Sequence, residues 1–564
     1  MDNLTTRQLH LLFSLLGVFF FIPFLGSVHL FDWDEINFAE SAREMLVSGN
    51  FGQVQVNFEP FWEKPPLFIW LQAACMKLFG ISEFSARLPN ALVGIATLNV
   101  LVFYGKKFAN QTLALLWPLV YLASITPQFY FHTGIIDPLF NLFIFLGLMQ
   151  IYQTFNQYHL KHWLLAGLFL GLAILTKGPV AGLVTLLVLM VLFVKNKFKP
   201  WMKLSHFLLY GITALAVSAV WFLPETLKNG FGFLSNFLVY QIDLMQNPVA
   251  SHGQPWFYHP VVLLIGCFPA SVLGLRLVFK KTELSFESLM RILFWVVLIL
   301  FSLVTTKIVH YSSLCYLPLT FLAAKRLSTL KEKPLVHYEK FFIWLVSVLW
   351  VIIFLAVPII GLNRLWLAEK VNSTFIKELL SVASTWGISQ LLVGLLSMAV
   401  LAFWLYAVIW KQSLIKQSLF ILSAYLVLFM ITIIPNIERH TQGSIIEFYK
   451  SMEQEDCYIE TYKFKSYAQY FYTKVKPLVS SDNLYLKREE WLSKLDAKTR
   501  LDLNENGRGI YQNEHVNWFL YQNTDKPVYL ICMPHKAFEL DENPQFEPVG
   551  NYGGYRVYKK ESRP

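Results

Sequence analysis

Charge is what this chain has least of. Of its 564 residues only 15% are Asp, Glu, Lys or Arg, whereas 55% are hydrophobic and 16% aromatic. A chain this long could not clothe a water-facing surface with so little charge, which excludes a soluble globular protein and implies a polytopic membrane protein. Cysteine is also sparse, at five residues. With no CxxC pair and no His-rich tract, no structural zinc site is indicated. There is no glycine-rich phosphate loop, no internal repeat and no nucleic-acid signature. The net charge of +10 is accounted for by lysines facing anionic lipid on the cytoplasmic side. Charge is scarcest at the middle of the hydrophobic runs. A transporter or lipid-linked-sugar flippase would need a polar path there, so that class is disfavoured.

What is there is a succession of apolar windows. A bilayer core about 30 Å thick takes roughly 20 residues per helix. Windows occur near 11–30, 88–105, 111–126, 135–152, 163–176, 179–194, 206–224, 259–279, 292–305, 311–324, 341–361, 388–410 and 417–435, so about thirteen transmembrane helices are predicted. The first lacks a small-residue cleavage site before Asp32 and reads as a retained anchor. With the N-terminus cytoplasmic, the inside links collect the basic clusters Lys106-Lys107, Lys195 to Lys199, Lys280-Lys281 and Lys325-Arg326, and the outside links are poorer in cations despite their greater length. An odd number of spans then places everything after Pro435 outside. Residues 1–435 thus form a membrane domain with outer juxtamembrane helices in 31–87, and 436–564 a small water-facing α/β domain. In that tail, Cys457 to Phe464, Val528 to Cys532 and Tyr555 to Tyr558 read as strands and Arg488 to Lys498 as a helix. An oxidising compartment would allow Cys457 and Cys532 to pair.

This topology brings four polar segments to one face: 32–63, 126–137, 252–258 and 307–311. Asp34 opens a short interfacial helix whose apolar stripe is Ile36, Ala39, Ala42 and Leu46, with Glu40 and Glu44 on the other face. Asp32 and Glu35 have capping-box spacing; Asp34 is superfluous to such a cap and is a candidate catalytic carboxylate. Glu63-Lys64-Pro65-Pro66 follows an aromatic pair and fixes an ammonium at the interface, where Lys64 either snorkels or holds a lipid-linked phosphate. Asp137, before Pro138 at a helix start, is an ordinary cap or a participant in an acceptor site. Lys177 sits in a link too short for an ordinary loop, as snorkeller or second phosphate contact. Lys307, His310 and Tyr311 share a similarly short outer link, and the Tyr311 hydroxyl can donate to a phosphate oxygen. His252 lies in a long outer loop, exposed or available to a metal or a phosphate.

The run Asp32-Trp33-Asp34-Glu35, Ala39-Glu40, Ala42-Arg43-Glu44-Met45 and Glu63-Lys64-Pro65-Pro66 resembles the lipid A aminoarabinose transferases and the bacterial relatives of protein O-mannosyltransferases, which have the C-type glycosyltransferase fold. Asp137, Lys177-Gly178, the 252–258 loop and Lys307 to Tyr311 follow in the family's order. The resemblance implies a bacterial inner-membrane enzyme that transfers a sugar, aminoarabinose, mannose or another hexose, from a polyprenyl phosphate donor. Lipid A is the favoured acceptor and protein the alternative, and the transfer would be inverting. It implies Asp34 as general base, with Asp137 beside it. Lys64, Lys177, Lys307, His310 and Tyr311 would serve the donor phosphate, and a divalent cation near Glu63 and His252 is optional.

Overall fold

The computed structural model describes residues 4–155, 159–199, 203–246, 253–476 and 516–562 other than 517. It is dominated by helices, and each apolar window meets one. Seven helices among the described residues are long and apolar enough to cross a membrane, with Gln111–Ala123 and Ile125–His132, bent by 83°, an eighth if taken as one span. Shorter apolar helices are Thr6–Phe21, Leu67–Phe79 and Val180–Lys195. The first window therefore ends as helix at Phe21 rather than 30.

Besides that bent pair, three windows depart from single straight helices for identifiable reasons. The window at 259–279 is two helices, Tyr258–Gly266 and Ala270–Val278, because Pro269 between them cannot donate the backbone hydrogen bond that would continue the first. The window at 311–324 starts as a 3-10 turn, Val309–Cys315, before the α-helix Tyr316–Ser328. The window at 206–224 lies within Leu204–Gln246, whose path breaks at Gly230 with φ of 73°. The second half of that helix carries Tyr240 toward the outer polar segments.

The composition change at 436 is not a linker. Helix Ile415–Glu438 continues through a π-turn, Arg439–Gly443, into Ser444–Ser451, so the tail is joined to the last span by continuous helix. Beyond it lies a four-stranded mixed sheet. Two short strands near the N-terminus, β1 (Gln55–Val56) and β2 (Glu59–Pro60), precede β3 (Tyr458–Tyr462), β4 (Val528–Cys532), β5 (Glu547–Tyr552) and β6 (Tyr555–Lys560), and the tail sheet has the order β3-β4-β6-β5. β3 and β4 run parallel, Tyr458 beside Val528 and Tyr462 beside Cys532; the other pairings are antiparallel. The three expected strands are present, while Arg488 to Lys498 lies outside the described residues. Cys457 precedes the Tyr458–Val528 end of the parallel pair and Cys532 closes the other end. That separation keeps the two thiols apart, and both are free.

Alternation along the strands divides the sheet between two cores. Val528, Leu530, Cys532 and Tyr558 join Trp518 and Phe519 in a core private to the tail. Ile531 and Val557, pointing the other way, join the large core shared with the helices. The tail is thereby seated on the membrane region by one face of its sheet.

Candidate active-site recess

The helix Asp34–Ser48 does not begin with the capping box its sequence suggests. Its N-cap is Trp33, with no side-chain hydrogen bond, because Glu35 is claimed elsewhere. Arg87 Nε and Nη2 donate to Glu35 at 2.8 and 2.9 Å, while Phe31 N–H and Gly134 N–H donate to it at 2.8 and 2.6 Å. Arg87 spends its remaining donors on the carbonyls of Leu25, Val28 and His29. Nor is the far face of this helix solvated: Glu40, Arg43 and Glu44 are buried. Arg43 binds Glu40 through two hydrogen bonds of 2.7 and 2.6 Å. Glu44 accepts from Asn57 N–H and Phe58 N–H at 2.6 and 2.7 Å, holding the tight β1–β2 turn whose two central residues have φ of 56° and 58°. Desolvation, reinforced by neighbouring Glu40, pushes the Glu44 carboxyl well above the usual carboxylate range.

Asp34, by contrast, is left with one oxygen toward its neighbours and a third of its side chain open. His310 Nε2 stands 3.2 Å from Asp34 Oδ2 and 3.9 Å from Asp137 Oδ2. Asp137 Oδ1 takes the Lys177 ammonium, and Asp137 Oδ2, though buried, accepts no hydrogen bond among the described residues. The Lys177 ammonium also lies over the rings of Tyr311 at 4.8 Å and Phe140 at 5.6 Å. These positions follow from element ends. Asp137 starts the helix Asp137–Gln153 with Pro138 in its first turn. Lys177 ends Leu160–Lys177, where Gly178 turns the chain out at φ of 94°, a conformation that favours glycine. His310 and Tyr311 sit in the 3-10 turn.

Opposing influences meet at Asp34. Desolvation favours its neutral form, but the His310 hydrogen bond and charge, followed by the charges of Lys64 and Lys177, outweigh it and hold the carboxyl well below the usual range. Lys64 makes no ion pair among the described residues; its ammonium lies 5.3 Å from the centroid of Tyr240. Glu63 beside it accepts from the Tyr240 hydroxyl at 2.6 Å, and Gln241 donates to the Glu63 carbonyl at 3.2 Å. The recess therefore offers an ionised, partly open carboxylate, a cation without an ion-pair partner and a second cation balanced by Asp137.

The structure thus gathers Asp34, His310, Asp137, Lys177 and Tyr311, with Lys64 and Glu63 at their border. Lys307 turns away, donating to Val304 O at 2.7 Å. His252 lies outside the described residues. No group of three or more His, Cys, Asp or Glu side chains suited to a metal occurs among the described residues. At Glu63, Oε1 faces the ammonium of Lys465 at 3.7 Å. Sequence reasoning missed Arg87, Tyr240 and Lys465. Arg87 registered only as one outer cation, Tyr240 lay past the expected end of its span, and nothing in Lys463 to Tyr467 distinguishes Lys465.

Residues 63–223 match the family described as dolichyl-phosphate-mannose-protein mannosyltransferase. The chain is 30% identical over 345 residues to undecaprenyl phosphate-alpha-4-amino-4-deoxy-L-arabinose arabinosyl transferase 1 of Proteus mirabilis, covering 59% of this chain and 61% of that one. It is 28% identical over 379 residues to the transferase of the same description from Pectobacterium carotovorum, covering 64% of this chain and 66% of the relative. The chain thus spans less than two thirds of the length of these relatives. The crystal structure of ArnT from Cupriavidus metallidurans bound to undecaprenyl phosphate superposes with a TM-score of 0.72 at 17% identity, over 98% of this chain and 99% of that one, and shows the same fold. By sequence, then, the chain is similar to aminoarabinose transferases over part of their length and to the protein mannosyltransferase family over residues 63–223, and by fold it is similar to ArnT.

Proposed function

We propose that the chain is an integral membrane glycosyltransferase that moves a sugar, aminoarabinose foremost, from undecaprenyl phosphate to lipid A on the outer side of a bacterial inner membrane. The relatives' names supply the donor class. In this reading thirteen spans carry a cytoplasmic N-terminus, and the C-terminal sheet domain faces the periplasm, on the side of the recess.

The observation that carries the mechanism is Asp34, ionised and partly open beside cations. The acceptor attacks the anomeric carbon from the face opposite the lipid phosphate, with inversion. As the glycosidic bond breaks, the electron pair leaves with the phosphate, whose growing charge is met by Lys64, with Lys177 and the Tyr311 hydroxyl behind it. No separate acid is required, because a phosphate leaves as an anion. Asp34 receives the acceptor's proton, and its fixed negative charge stabilises the positive character that develops at the sugar carbon.

The depressed pKa of Asp34 also bears on the acceptor. A weak base removes a hydroxyl proton poorly, but a phosphate monoester has a second pKa of about 6 and needs little help to ionise. That favours a lipid A phosphate over a serine or threonine hydroxyl of a protein. Asp137, bound to Lys177 and close to His310, keeps both side chains aligned with Asp34. The test is transfer of radiolabelled sugar from a panel of polyprenyl phosphate donors into lipid A and envelope protein, for wild type and Asp34→Asn at matched expression. Label in lipid A that requires the Asp34 carboxylate supports the reading. Label in protein alone would replace the acceptor, and equal transfer by Asp34→Asn would remove the base.

A further inference from the structure

The C-terminal domain sends one cation into the recess. Lys465, just after β3, places its ammonium 3.7 Å from Glu63 Oε1 inside a ring of aromatic faces, with centroids at 5.2 Å for Tyr467, 5.6 Å for Trp33 and 5.9 Å for Phe61. Only 22% of its side chain is open. The places of its partners in the chain matter. Trp33 directly precedes Asp34, and Glu63 directly precedes Lys64. One ammonium from the tail therefore grips both segments that present the central charges of the recess.

The grip has a chemical consequence for Lys64. Glu63 is the nearest carboxylate to Lys64 in the chain and would, if free, draw the Lys64 ammonium into an ion pair. Instead both Glu63 oxygens are engaged, Oε2 by the Tyr240 hydroxyl and Oε1 by Lys465, and Lys64 has no ion-pair partner among the described residues. An ammonium without a fixed carboxylate partner can take a phosphate. Docking of the tail does not depend on Lys465. The Tyr472 hydroxyl accepts from Leu30 N–H at 2.8 Å, Gln442 donates to Leu30 O at 2.8 Å, His29 meets Glu438 at 2.8 Å, and Arg556 binds Glu378 at 2.5 Å.

We propose that Lys465 is a positioning residue of the membrane site, by which the C-terminal domain occupies Glu63 and so keeps Lys64 free for the donor phosphate. This rests on the glycosyltransferase reading above. The full-length protein in nanodiscs is titrated with undecaprenyl phosphate, and thermal stability is measured on the same samples. Lys465→Met weakens binding about tenfold with little change in Tm, Lys465→Arg stays within about threefold of wild type, and adding Glu63→Gln to Lys465→Met restores most of the affinity. A merely structural lysine would not be rescued by removing a second charge. Lys465→Met binding within twofold of wild type, or a double variant no better than the single, would overturn the inference alone. A wild-type protein that binds no undecaprenyl phosphate would overturn the donor reading and this inference together.

Discussion

One helix, Asp34–Ser48, carries two kinds of carboxylate. In its body, Glu35, Glu40 and Glu44 are buried and fully engaged, the first two by arginines and the third by two backbone N–H groups. At its N-terminus, Asp34 is partly open, and its close partner among the described residues is a histidine that also approaches Asp137. Buried carboxyl groups held by fixed donors specify a fold. A charge kept ionised by its surroundings, with a lone pair still on offer, is equipped to act on something that arrives. The same acidic sequence therefore holds both scaffold and chemistry, and the two should separate under mutation.

The largest effect is expected in the scaffold. Arg87→Leu leaves Glu35 buried without its cation and strands the carbonyls that Arg87 serves. Removing one partner of a buried pair costs about 3–5 kcal/mol, so the variant should show sharply reduced yield and a lowered Tm in detergent. Normal yield and Tm would erase the distinction drawn between the two ends of the helix. At the other end, Asp34→Asn should keep yield and Tm while transfer falls on the order of 10³-fold, within the range for loss of a general base. Lys64→Met should follow with a loss on the order of 10²-fold, as for removal of one group that stabilises developing charge, and with weaker undecaprenyl phosphate binding that Asp34→Asn does not share.

The two ends also differ in how far the sequence announced them. Asp34, Lys64, Asp137, Lys177, His310 and Tyr311 were legible because each is a charge or hydroxyl in a short polar break between apolar runs, and topology alone brings such breaks to one face. Lys307 obeyed the same logic, yet the turn before His310 bends its ammonium back to Val304, a local detail that no periodicity encodes. The Glu35–Arg87 pair spans 52 positions, and Lys465 meets Glu63 from the far end of the chain. Such pairings follow from packing, not from pattern, so a spacing that fits a capping box concealed a long-range ion pair. The tail strands were readable from their alternation, whereas the two faces of the sheet, one for its own core and one for the helices, became apparent only in three dimensions.

The comparison can be sharpened by pH. Asp34 is held well below the ordinary carboxylate range, so it remains ionised in the folded protein throughout pH 5 to 9. The pH profile of kcat/KM should therefore show no acid limb from this group in that window. A limb near pH 6 that disappears in Asp34→Asn would mean that His310, Lys64 and Lys177 do not hold the carboxylate as their placement implies.

Asp32, two residues away, behaves in the opposite sense and gives the smallest effect. Desolvation raises its carboxyl to about 6, against the Ser466 and Tyr467 hydrogen bonds and the charge of Lys465, which favour ionisation. The folded protein then holds this proton more tightly than the unfolded chain, whose carboxyl titrates near 4. By linkage the stabilising contribution is complete below that unfolded value and is lost as pH rises through about 6. Although the tail's Ser466, Tyr467 and Lys465 crowd Asp32, its side chain remains open to solvent, so screening should keep the amplitude small. Asp32→Asn mimics the protonated side chain at every pH, so its Tm should decline less than that of wild type between pH 5 and 7. Parallel Tm curves for the two proteins would show that the tail meets Asp32 without perturbing it, and would confine the electrostatic contrast to Asp34 and its cations.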